Sequence, residues 1–150
     1  MSARLIVAVL ALWLAPIATV CAEGHPCERE TKALMRTQSS WQEISRAAGA
    51  LPAKCFAGYF AEGISDAVVR KMGMDWAGFI KTLSHESEGD KFFALVLKSI
   101  NSTLNPDDIQ VINRLALKSC PTALQMRCDA ITNQAKAALA DYHPPIVEKP

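Results

Sequence analysis

Apolar positions recur at helical spacing along almost the whole chain after its first 26 residues. Leu34, Trp41, Ile44 and Ala48 follow one another at steps of seven, three and four, which places them on one helix face. Ser40-Trp41-Gln42-Glu43 has the form of a capping box, so this first helical region is expected to break near Ser39. Gly49 is a natural stop, and a second region starts near Pro52 with Phe56, Tyr59, Phe60 and Ile64 on one face. Gly58 and Gly63 weaken that region by about 1 kcal/mol each relative to Ala. Ser65 is therefore expected to cap a fresh start that carries Val68, Val69 and Met72 up to Gly73.

The second half of the chain repeats the pattern. Asp75 is placed to cap a helix holding Trp76, Phe79, Ile80 and Leu83. A polar break follows over Ser84 to Asp90, and Asp90 is placed to cap the next helix. There Phe93, Val96, Leu97, Ile100 and Leu104 share a face, while Phe92 and Leu95 add apolar surface on the other side, which predicts a central helix. Asn105-Pro106-Asp107-Asp108 supplies a cap, a proline in the first turn and two acids at the positive end of the dipole. Ile109, Ile112 and Ala116 continue that helix until Pro121. A last helix from about Thr122 to Asp141 turns Leu124, Cys128, Ile131, Ala135 and Leu139 inward, and His143-Pro144-Pro145 ends it. No stretch alternates with period two over a useful length. The pattern predicts an all-α fold, five to seven helices packed as one globule.

Residues 1–22 read differently, as a cleaved export signal. Arg4 is its basic end, Leu5 to Ala15 its apolar stretch, and Val20-Cys21-Ala22 its cleavage site. Val20 is too large and branched to precede an acylated cysteine, so lipidation at Cys21 is the disfavoured alternative. The expected mature protein is residues 23–150, 150 − 22 = 128 residues, forming a single helical domain with a short C-terminal tail in the periplasm, or secreted as second choice. The chain has 16 Lys+Arg against 15 Asp+Glu, and removing Arg4 brings the mature charge to zero. That balance excludes the basic excess that nucleic-acid binding requires. No second apolar run reaches the length of a membrane span.

Loss of Cys21 also leaves four cysteines, Cys27, Cys55, Cys120 and Cys128, an even number that reads as two disulfides in an exported chain. Three pairings are open. Cys27–Cys55 with Cys120–Cys128 closes the shortest loops and is the first choice. A metal or redox site is disfavoured, because there is no Cys-x-x-Cys and no histidine at ligand spacing from a cysteine. No cofactor or metal is implied.

Candidate chemistry is sparse. His25 and His143 lie near the mature ends, so a neutral-pH base would have to be His85, in the polar run Ser84-His85-Glu86-Ser87-Glu88-Gly89-Asp90. Glu86-Ser87 resembles the catalytic glutamate context of lytic transglycosylases, in which a carboxylic acid in a cleft serves as general acid. Glu88 would oppose the desolvation such a site needs, and the downstream Gly-Leu-Met-Gln element of those enzymes is absent. Gly63-Ile64-Ser65-Asp66-Ala67 lacks the last glycine of a nucleophile elbow. Trp41, Trp76 and Phe92-Phe93 could form a ligand-binding stripe, but at helical spacing they read first as core.

Taken together, the signal ending at Ala22, the mature size, the two expected bridges and the helical periodicity from Cys27 to Asp141 resemble the small periplasmic immunity proteins of type VI secretion amidase effectors. The resemblance is one of architecture and carries no family residue to a position here. It implies a non-enzymatic protein that binds a peptidoglycan amidase, the cognate effector, and blocks its Cys-His cleft, in some cases as a homodimer. Two disulfides would give the rigid scaffold an inhibitor needs. The Ser84–Asp90 segment is the expected projecting element, with His85, Glu86 and Glu88 as partner-binding residues. A helical periplasmic chaperone or envelope stress protein is the alternative reading.

Overall fold

A computed structural model describes residues 27–36, 39–85 and 91–142. Among them the chain forms seven α-helices and two 3-10 turns, with no strand. Helix α1 (Glu28–Met35) is followed by α2 (Trp41–Ala50), a 3-10 turn (Ala53–Cys55), α3 (Gly58–Met74) and α4 (Trp76–Leu83). Then come α5 (Lys91–Ser99), α6 (Pro106–Lys118), a second 3-10 turn (Thr122–Leu124) and α7 (Gln125–Ala140). The fold is all-α, as the spacing of apolar residues predicts. The described residues contain no helix long and apolar enough to cross a membrane. The expected signal at residues 1–22, the Asp90 cap and the tail beyond Tyr142 lie outside the described residues.

Local chemistry sets the starts of α2, α4 and α6. The Ser40 hydroxyl accepts from the Glu43 backbone N–H at 3.2 Å, and the Glu43 carboxylate accepts from the Ser40 backbone N–H at 2.7 Å, a complete capping box. The Asp75 carboxylate accepts from the Gly78 N–H at 3.0 Å, and the Asn105 side chain from the Asp107 N–H at 3.0 Å with Pro106 behind it.

Packing overrides the local signal in α3. The helix starts at Gly58 and runs unbroken over 17 residues, through Gly63 and Ser65. Ser65 is not a cap. It is fully buried inside the helix, and its hydroxyl accepts from the Asn101 side-chain amide at 3.2 Å. Gly63 is the point of close approach to α1, because a Cβ there would collide with the Met35 Cε. Helix α3 packs against α1, α4, α5 and α6, and so takes the central position expected of α5. Helices α6 and α7 form the most extensive pair.

The core is built around aromatic rings. Phe79 sits between Trp41 and Trp76, with ring centroids at 5.3 and 5.1 Å, and Phe92 closes the group at 6.1 Å from Trp41. Trp41, Trp76 and Phe92 are all buried, so the alternative of a ligand-binding stripe gives way to core. Both indole N–H groups are satisfied, Trp41 donating to the Asp75 carbonyl at 3.2 Å and Trp76 to the Ser119 carbonyl at 3.1 Å.

The disulfides are Cys27–Cys55 and Cys120–Cys128. The first ties the start of α1 to the turn before α3, and the second ties the exit of α6 to α7. Such bridges belong to an oxidising, extracytoplasmic compartment.

Candidate functional site

The end of α4 is the feature that the sequence reading singles out. Trp76, Phe79 and Leu83 bury one face of this short helix, and its last turn carries Lys81 outward. Past the end, the Ser84 N–H donates to the Ile80 carbonyl and the His85 N–H to the Thr82 carbonyl, both at 3.0 Å. His85 is thereby fixed in backbone position while its ring is exposed. Glu86 and Glu88, the other two expected partner-binding residues, lie outside the described residues, as does the rest of the polar run to Asp90.

The two helices that flank that run are both contacted by a residue that the sequence pattern does not single out. Arg127, on α7, donates from its guanidinium to the Leu83 carbonyl at 2.7 Å, closing the C-terminal end of α4. The same guanidinium lies 5.5 Å from the centre of the Phe93 ring, in the first turn of α5. One cation thus ties the helix before the polar run to the helix after it. A signal for it was present: Arg127 lies three residues from Leu124 and four from Ile131, within the inward stripe of α7, where a charge needs a specific partner.

His85 also opens onto a groove of about 530 Å³ between α2 and α4, lined by Ser40, Trp41, Gln42, Ser45, Arg46, Gly78, Lys81, Thr82 and His85. Its walls mix polar and apolar surface, and its charged members among the described residues are basic. Trp41, held from behind by Phe79, forms part of the floor. The closest acid on α2, Glu43, is turned to its cap: one carboxylate oxygen accepts from the Ser40 N–H at 2.7 Å and from the Ser40 hydroxyl at 2.9 Å. These bonds, in that order of weight, hold its carboxyl below the ordinary 4.5, with Arg46 and Arg36 adding to the effect.

A second groove, of about 460 Å³, runs between the exit of α2 and α5, with Leu51, Phe56 and Ala94 on its walls and Lys91 and Lys98 at its rim. Both lysines serve the fold. Lys91 donates to the Gly49 carbonyl at 3.0 Å, and Lys98 lies 4.8 Å from the centre of the Phe56 ring. Among the described residues no group of three His, Cys, Asp or Glu side chains is placed to hold a metal ion. Compared with known proteins, the chain matches no family model, no curated protein and no solved structure.

Proposed function

We propose that this chain is a periplasmic inhibitor that binds a peptidoglycan amidase delivered as a toxin and blocks its active-site cleft, without chemistry of its own. The observation that carries the reading is the mount of the 84–90 segment. The helices that flank it, α4 and α5, are tied to one another through Arg127, which bonds Leu83 and lies over Phe93, on a helical body held by two disulfides. A blocking segment gains affinity when its ends are ordered before binding, because less conformational entropy is lost on association. His85, exposed at the foot of that segment, is its first contact residue, with Glu86 and Glu88 beyond.

The test uses residues 23–150 together with a candidate cognate Cys-His amidase, sought first in the open reading frames adjacent to the gene. The mature protein is expected to form a stable complex and to stop release of peptide from purified peptidoglycan. Replacing His85, Glu86 and Glu88 together by Ala is expected to weaken the complex at least tenfold, about 1.4 kcal/mol. Undiminished binding by the triple variant would remove the segment from the interface. Failure of the intact protein to inhibit would sink the inhibitor reading.

A further inference from the structure

The groove between α2 and α4 is built of two facing stripes. On α2, Gln42, Ser45 and Arg46 stand at i, i+3 and i+4; along α4 and its exit, Gly78, Lys81, Thr82 and His85 stand at i, i+3, i+4 and i+7. Among the described lining residues every charged or titratable side chain is a base, and none is an acid. Arg46 offers a planar fork that matches a carboxylate, and Lys81 a compact ammonium on the opposite wall. Ser45, Thr82 and Gln42 supply neutral polar groups between them. Among the described residues, neither Arg46 nor Lys81 forms an ion pair. Among the described residues, the nearby acids Glu43 and Asp75 are already engaged, Glu43 by Ser40 and Asp75 by the Gly78 N–H.

We propose that this groove binds a short peptide segment carrying at least two carboxylates, presented by the protein partner beside the contact made by the 84–90 segment. Charge complementarity supplies the argument: an open groove with a cation on each wall favours a ligand of opposite sign and disfavours a cationic or neutral one. His85 belongs to the groove and to the polar segment alike, so one partner surface can reach both. The partner's identity rests on the inhibitor reading above, whereas the chemistry of the groove does not.

The probe is a synthetic peptide, N-acetyl-Glu-Glu-Glu-amide, titrated into residues 23–150 with its Gln-Gln-Gln counterpart as control and followed by amide and side-chain NMR shifts. Saturable shifts are expected at Arg46, Lys81, Thr82 and His85, with a Kd of about 1 mM at low salt. The affinity should fall several-fold when ionic strength rises from about 0.01 to about 0.3 M, as screening shortens the reach of exposed charges. Arg46→Glu with Lys81→Glu should weaken binding at least tenfold. Lys118→Glu, an exposed charge change away from the groove, should leave it within twofold. Equal shifts with the Gln peptide, scattered unsaturable shifts, or an equal loss in Lys118→Glu would overturn the proposal. A failed titration with intact amidase inhibition removes the groove alone, and the reverse removes the inhibitor reading alone.

Discussion

The guanidinium of Arg127 closes the end of α4 by donating to the Leu83 carbonyl, 44 residues earlier in the chain. Carbonyls in the last turn of a helix have no intrahelical donor, and a charged donor satisfies one of them strongly. Arg127→Ala is expected to lower stability by about 1.5–3 kcal/mol, the range for hydrogen bonds to charged groups. Arg127→Lys keeps the charge but not the planar fork, and should fall between. Amide hydrogen exchange gives the local readout. The Ser84 and His85 amides should exchange about tenfold faster or more in Arg127→Ala, while those of α6 change only with global stability.

The Ser40–Glu43 capping box predicts a pH dependence. Bonding to Ser40 lowers the Glu43 pKa in the folded protein below its ordinary value. A carboxyl of this kind adds stability that is fully present above its unfolded pKa and is lost as pH falls through the folded pKa. Thermal melts of the intact protein and of Glu43→Gln should therefore differ most near about pH 6, and the gap should close towards about pH 3. A gap that stays constant across this range would mean that the cap works without the charge.

Helix starts of this type were legible in the sequence because their determinants are adjacent residues. Ser40 with Glu43, Asp75 with Gly78, and Asn105 with Pro106 each settle within one turn. The cysteine pairing was legible because loop length ranks the choices. What the sequence concealed depends on distant partners. Ser65 is read as a cap from its neighbours but is held inside α3 by Asn101, 36 residues away. Gly63 is read as a weak point, yet a side chain there would collide with the end of Met35 on α1. In the candidate site, His85 and its polar surroundings were visible as a break in periodicity. The basic groove was not, because its two stripes lie on helices whose pairing no local pattern fixes.

The two disulfides should not contribute equally. Chain-entropy reasoning scales with the logarithm of the loop closed, here 28 residues for Cys27–Cys55 and 8 for Cys120–Cys128. It gives about 3.5 and 2.5 kcal/mol respectively. Urea unfolding of the paired Ser variants is expected to place Cys27→Ser/Cys55→Ser about 1 kcal/mol below Cys120→Ser/Cys128→Ser. Both bridged elements also pack through other contacts, α1 on α2 and α3, and α7 on α6, so each variant should still unfold cooperatively. Loss of a cooperative transition in the first variant would mean that α1 depends on its bridge to stay docked.

The groove and the core share a wall, and substitutions at Phe79 and Lys81 separate them. Phe79 is fully buried between Trp41 and Trp76, and Trp41 floors the groove. Phe79→Ala removes the ring against which both indoles rest and leaves a cavity in a region with little room to relax. The expected loss is about 3–5 kcal/mol, with a matching loss of near-ultraviolet circular dichroism from the freed tryptophans. Lys81, two residues along the same helix, is exposed on the groove side. Lys81→Ala should change stability by no more than about 0.5 kcal/mol. If it were much more destabilising, Lys81 would be part of what holds α2 against α4, and the groove would owe its basic wall to folding. A neutral effect on stability leaves that charge without a structural task, as a binding role requires.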